Sequence, residues 1–481
     1  MGKFRRKDQQ SVQEELWLRP QELVRGPQDG FYYKLNGVLA KLGFTESVHR
    51  HCAPYYKTGT SGGGRPPVDP AVMFKMLIVG FLEGIGSERG IASRCADSLT
   101  IRRFLGYSLT EQTPEHSSFT VFRQRLPQEV FDAVHLEVLK GLRAYGLLKG
   151  RHLGVDSSII EANASLSGLA CRNTEESYRE YVRGLAQQAG VDPDDAAAVA
   201  RFDRQREGRK TSNKEWYNPD DPDAKIGRTK HGACDMVHKP EHIVDLESGA
   251  IVSAEVRPGD AGDTAGLSTR VLEAVETVEE VHGEESGEQT ARRVESLTGD
   301  KGFHDAVELA IIQHEAGVRT VIGDPNASRR RLDRLEPEMR TAVQRAARAV
   351  RSKSGKRLLR MRGEKIERGF AHVLDCGGLR RTALRGLVRI NKRYLCGIIA
   401  FNLSLIMRQL AGWGTPRQTA AAAKALRRVL IRLMHAFFDL LQRDASLKTA
   451  ALENIPAYCR SSFPCSLGLV FPAVARFSTG S

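Results

Sequence analysis

Residues 151–164 read RHLGVDSSIIEANA, and one acid in this stretch decides how the rest of the chain is read. The run is β-forming, with Leu153, Val155 and Ile159 on one face and Gly154, Asp156 and Ser158 on the other. Asp156 therefore points away from the face that packs on a core. Its small neighbours leave space for an ion or a substrate, although a solvated sheet face gives the same pattern.

Working outward, short β-rich runs alternate with helices from residue 148 onward, which predicts an α/β domain. EHIVDL (241–246) and GAIVSAEV (249–256) flank Glu247 and Ser248 as an antiparallel hairpin. VESLTGD (294–300) and GVRTVIGD (317–324) read as two later strands. Between them DAVELAIIQHEAG is a helix, capped by Asp305 and closed by Gly317, so the sheet gains a parallel component and is mixed. Residues 163–230 are long and polar, which predicts an insertion of helices and loops rather than more sheet. Residues 326–368 hold 15 Lys or Arg against 5 Asp or Glu. Such a one-sign excess suits contact with phosphates, with a solvated charged helix as the competing reading.

Upstream, residues 1–30 are polar and charged and read as a flexible arm, and 31–147 as an all-helical domain. The Gly-rich joint TGTSGGGRPP precedes a strong helix start, with Asp69 as N-cap and Pro70 at the first helical position. In FTVFRQR, Phe119 and Phe122 can pack while Arg123 and Arg125 meet phosphate, as in a helix-turn-helix reader; an amphipathic surface helix fits equally well. Residues 412–481 form a helical tail with the amphipathic segment AKALRRVLIRLMHAFFDLL, whose apolar positions suit core packing or a partner.

The 481 residues carry a formal charge of +14, which favours a polyanionic partner. Hydrophobic residues make up 41% and charged residues 27%, an ordinary globular balance that excludes wholesale disorder. The apolar stretches 71–82 and 395–407 contain Lys75 and Asn402 and fall short of the roughly 20 residues a span needs, so they read as buried helices. MGKFRRKDQQ runs into no apolar segment, and a cytoplasmic location is expected by default. Eight cysteines without a C-x-x-C pair argue against a disulfide framework or a cysteine-rich zinc site, and His49, His51 and Cys52 lack a second ligand pair.

Two further acids can join Asp156. Asp300 also closes a β-rich run, where α/β sheets usually build their sites, although it could simply start a turn with Lys301 and Gly302. In RGEKIERGFAHVLD, Glu367, Phe370 and Leu374 share a helix face, a poor place for an idle charge. Glu364 competes with it, and Arg368 could neutralise Glu367. Three acids brought together resist joint ionisation unless a cation offsets them, and magnesium, which favours oxygen ligands, suits the task. Two such ions can activate a water or a 3′-hydroxyl and stabilise the leaving oxygen of a phosphodiester.

The order VDSSIIEANA, GDKGFHD and GEKIERGFAHVLDCGGLRRTALRG resembles the catalytic core of bacterial insertion-sequence transposases of the DDE type, over roughly residues 31–411. The resemblance implies an RNase H-like mixed-sheet catalytic domain at 148–411, preceded by the helical domain. It implies Asp156, Asp300 and Glu367 as a catalytic triad binding Mg2+ at a two-metal site, with Mn2+ as a substitute, and favours Glu367 over Glu364 through the E-x-x-F spacing. A related signature has Arg four positions before the Glu and Lys seven after; here those positions are Gly363 and Leu374. Arg362, Arg380 and Arg381, with Arg123, Arg125 and Lys301, are the candidates for DNA contact. The expected function is a DNA transposase that binds terminal inverted repeats of double-stranded DNA as a homo-oligomer, cuts a phosphodiester and joins the freed 3′-hydroxyl to target DNA. The alternatives are a nuclease of the same fold that cuts without joining, or a non-catalytic DNA-binding protein derived from a transposase.

Overall fold

A computed structural model describes residues 30–56, 67–208, 211–229, 232–283, 293–418 and 427–436. The arm before residue 30 and most of the tail, including part of its amphipathic segment, lie outside the described residues. Up to Gln418 the chain forms one compact unit, and the remainder a second. In the second unit residues 427–436 are helical, with Val429, Leu430, Leu433 and Met434 exposed.

The first unit opens with α1 (Phe31–Lys41), α2 (Phe44–Cys52), α3 (Pro70–Leu82), α4 (Glu88–Asp97), α5 (Leu99–Leu105), α6 (Ser117–Arg125) and α7 (Gln128–Ala144). The predicted start of α3 is found as expected: the Asp69 carboxylate accepts from the Ala71 amide at 2.8 Å, and Pro70 stands in the first turn. Every α3 residue except Lys75 is buried, as an all-round apolar helix must be.

The sheet follows. Its strands are β1 (His152–Ser157), β2 (Ile160–Glu161), β5 (Lys225–Arg228), β6 (Cys234–Asp245), β7 (Ile251–Pro258), β8 (Ser296–Thr298) and β9 (Arg319–Val321). β6 runs antiparallel to β1 on one edge and to β7 on the other, while β1, β8 and β9 run parallel. The predicted hairpin and parallel component are both present, so the sheet is mixed. Crossover helices α10 (Leu267–His282) and α11 (Ala306–Glu315) connect its strands, the second capped by Asp305 as predicted.

The insertion departs from the expectation of helices and loops alone. Besides α8 (Tyr178–Gln188) and α9 (Ala196–Gln205), it forms a two-stranded sheet from β3 (Ala170–Cys171) and β4 (Trp216–Tyr217), and β5 joins the main sheet. The reason is a small satellite core. Trp216 is buried edge-on against Tyr178 and Tyr181, and β3 with β4 supplies the backbone pairing that holds it there.

Past the sheet, α12 (Pro337–Arg351) and α13 (Lys353–Phe370) carry the basic segment, and a π-helical turn over Ala371–Cys376 leads toward α14 (Leu387–Ala411). By length and composition α14 is apolar enough to cross a membrane, yet 78% of its most apolar window is buried inside the fold. It is the central core helix. It packs on α3 and α7 and on the edge strand β7, whose free backbone it clamps: Asn391 bonds both the amide and the carbonyl of Val256, and Asn402 does the same at Ile251. Helical layer and sheet therefore share one continuous hydrophobic core running from Tyr32 to Met407.

Candidate active site

Two neighbouring parallel strands place the first pair of acids. Gly154 of β1 is level with Thr298 of β8, so two residues farther on Asp156, still within β1, stands beside Asp300, just past the end of β8. Arg362 of α13 reaches both, with Nη2 2.8 Å from Asp156 Oδ1 and 4.0 Å from Asp300 Oδ2. Burial pushes the Asp156 carboxyl up to about 6; Arg362 and the Ser157 amide pull it down, while Asp300 and Asp263 push it up again. Asp300 also accepts from the Gly302 amide at 2.9 Å, so it caps a turn and faces Arg362 at once. The two readings of this residue are compatible.

The space expected beside Asp156 is filled on one side. A Cβ on Gly154 would stand 2.5 Å from Leu246 Cδ2 and 3.0 Å from Ile366 Cδ1, because α13 lies across this face of the sheet. Leu358, Arg362, Ile366 and Phe370 recur at intervals of four and form the sheet-facing side of α13. Phe370 stacks on His242, the register partner of Asp156, with ring centroids 4.1 Å apart.

Glu367 lies one step round that helix. It is exposed and makes no hydrogen bond or ion pair among the described residues, while Glu364 pairs with Arg368 at 3.3 Å on the same outer side. The helix thus presents Arg362, rather than either glutamate, to the two aspartates. Phe370 and Leu374 are buried as expected, but Glu367 is turned to the outer side of the helix and does not share their burial.

Asp263 is the acid that the sequence reading missed. Its Oδ1 accepts from Ser157 Oγ at 2.8 Å and lies 2.6 Å from Lys239 Nζ. A Cβ on Gly302 would stand 3.0 Å from Asp263 Oδ2 and 3.1 Å from Asp300 Oδ1, so these carboxylates face each other across a bare Cα. The loop carrying Asp263 is tied down from below. Buried Glu241 binds Arg257 at 3.0 Å and Arg270 at 2.6 Å, and those guanidinium groups donate to the carbonyls of Gly262, Asp263 and Ala265. Burial nevertheless pushes the Glu241 carboxyl up. The available signal was PGDAGD, an acidic glycine-rich loop directly after a strand.

Among the described residues no three His, Cys, Asp or Glu side chains are arranged to hold a metal ion. The donor chemistry still suits a hard divalent cation, since one or two carboxylates with waters and phosphate oxygens commonly make up a magnesium shell. Arg362 now stands between the two that would serve.

The candidate DNA contacts are scattered. Lys301 is exposed beside Asp300. Arg125 is exposed over the Tyr56 ring, and Arg381 is exposed beside Glu161. Arg380 is held by Asp375 at 2.8 Å and by the Ile159 carbonyl. Arg123 is buried, its guanidinium turned inward to bind both oxygens of Glu88.

No curated protein and no solved structure matches the chain. Residues 21–125, spanning α1 to α6, match the family model described as a transposase domain (DUF772), and this similarity supports a transposase.

Proposed function

We propose that the chain is a DDE-type transposase whose sheet is an RNase H-like catalytic core, with Asp156 and Asp300 as the acids that engage a divalent cation. The observation that carries this reading is the pair of carboxylates at the ends of adjacent parallel strands, gathered by one arginine. The transposase-domain match and the mixed sheet support it. When bound, the cation would polarise an attacking water or 3′-hydroxyl and offset charge on the leaving oxygen.

The chain's own groups do the rest. Asp156 and Asp300 offer oxygen donors, and Asp263 adds negative charge at the same strand ends. Arg362 offsets part of their charge, and Lys301 could meet a phosphate oxygen beside Asp300. Exposed arginines on α12, among them Arg345 and Arg348, have no ion-pair partner among the described residues and suit backbone phosphates. DNA affinity should therefore fall steeply with salt.

Labelled duplexes carrying the DNA that flanks the coding sequence, incubated with Mg2+ or Mn2+, test the reading. Cutting and joining by the wild type, with both lost in Asp156→Ala and Asp300→Ala, is the expected result. Unchanged products in those variants would refute the site. Cutting alone identifies a nuclease, and binding alone a non-catalytic DNA-binding protein. Glu367→Gln and Asp263→Asn in the same assay decide which third acid takes part.

A further inference from the structure

A second cluster of charge lies apart from the aspartates, where the loop between α3 and α4 meets the segment before α14. A cavity of about 130 Å3 opens there, lined by Gly86, Glu88, Arg381, Thr382, Arg393 and Tyr394 among others. Arg393 is 6% exposed, and both of its terminal nitrogens are buried without a hydrogen-bond partner among the described residues. A buried guanidinium left in this state is expensive.

Its neighbours do not offset it. Glu88 lines the cavity, but both its oxygens are taken by Arg123. Lys392, also buried, donates only to the carbonyls of Arg123 at 3.0 Å and Leu126 at 2.7 Å. The Tyr394 hydroxyl is bound to His242 at 2.7 Å. Two buried guanidinium groups, Arg123 and Arg393, thus share the single carboxylate of Glu88, while Lys392 has Glu129 as its acidic neighbour. Burial depresses both Lys392 and Arg393, as expected of cations short of counter-charge.

We propose that this cavity is an oxyanion site of the phosphate class, with Arg393 gripping the anion from inside and Arg381 meeting it at the mouth. The planar fork of a guanidinium matches two oxygens of a tetrahedral oxyanion, and the local excess of positive charge favours phosphate over a singly charged carboxylate. The volume suffices, since about 10–15 Å3 admits one water. The site does not depend on the aspartates being catalytic. Its phosphate can come from solution or from a nucleic-acid backbone.

Thermal unfolding of the full chain in sodium phosphate, against sodium chloride at matched ionic strength, tests the site through the stabilisation that a ligand of the folded state confers. Wild type should gain melting temperature with phosphate. Arg393→Met should lose that gain and should be at least as stable as wild type in chloride, because it removes an uncompensated charge. Arg393→Lys keeps the charge without the fork and should give a reduced gain. Arg381→Gln, at an exposed position, should weaken phosphate binding threefold or more. Equal phosphate response in wild type and Arg393→Met, or a lower melting temperature for Arg393→Met in chloride, would overturn the proposal. A labelled duplex identifies the source: displacement by phosphate together with weaker binding to Arg393→Met assigns a DNA phosphate, and unaltered DNA binding beside an intact phosphate gain assigns the free ion.

Discussion

Arg362 Nη2 lies 2.8 Å from Asp156 Oδ1, so a cation from α13 locks the helix to the end of β1. Replacing Arg362 with Gln leaves Asp156 and Asp300 facing each other without that charge. The expected loss at pH 8 is about 1.5–3 kcal/mol, the range for a charged hydrogen bond. Mg2+ should restore more stability to the variant than it adds to wild type, because the cation no longer competes with a guanidinium. Urea unfolding with and without Mg2+ measures both quantities, and an identical cation response in the two proteins would count against a metal site here.

Asp156 itself should cost stability. Its carboxyl is pushed up to about 6 from an ordinary value of 3.8, so the folded protein holds this proton more tightly than the unfolded chain. The penalty is fully present above pH 6 and is relieved as pH falls toward 4. Asp156→Asn should therefore stabilise the fold at pH 7–8 by up to about 3 kcal/mol, taking roughly 1.4 kcal/mol per unit. The gain should vanish near pH 4. A destabilised variant at pH 8 would mean that the Arg362 pair outweighs the burial.

Two buried histidines should set the acid limit of stability. Burial lowers His135 to about 4 and His242 to about 3, so between pH 6.5 and 4 the unfolded chain takes up protons that the folded chain refuses. Stability contributed by these groups is present above pH 6.5 and is lost on acidification, at about 1.4 kcal/mol per unit for each histidine. His135→Gln should make the slope of unfolding free energy against pH shallower by about that amount. An unchanged slope would show that His135 titrates normally.

The corner between α12 and α13 admits only glycine at 355. A Cβ there would run into the Ala349 carbonyl, a backbone atom that cannot step aside. Gly355→Ala should cost at least about 2 kcal/mol, within the range for overpacking. It should also loosen the placement of Arg362 seven residues on, which hydrogen exchange along α13 would register. A variant as stable as wild type, with unchanged exchange, would show that the corner is not tight.

What the sequence by itself determined is local. Helix caps at Asp69 and Asp305, the hairpin around Glu247 and Ser248, and the strands that carry Asp156 and lead to Asp300 follow from short-range patterns of polarity and turn chemistry, and these persist in the fold. Tertiary structure decided which side chains meet. Helical periodicity put Glu367 on a face with Phe370 and Leu374, but the sheet-facing side of α13 is fixed by Ile366 on Gly154 and Phe370 on His242, and that rotation brings Arg362 to the aspartates. Asp263 went unnoticed in the sequence, because it joins the site only where the buried Glu241 network holds its loop over Gly302. Arg123 read as a surface cation and is buried against Glu88, because α14 covers its helix. Packing over long sequence separations sets such choices, and no short window of residues contains them.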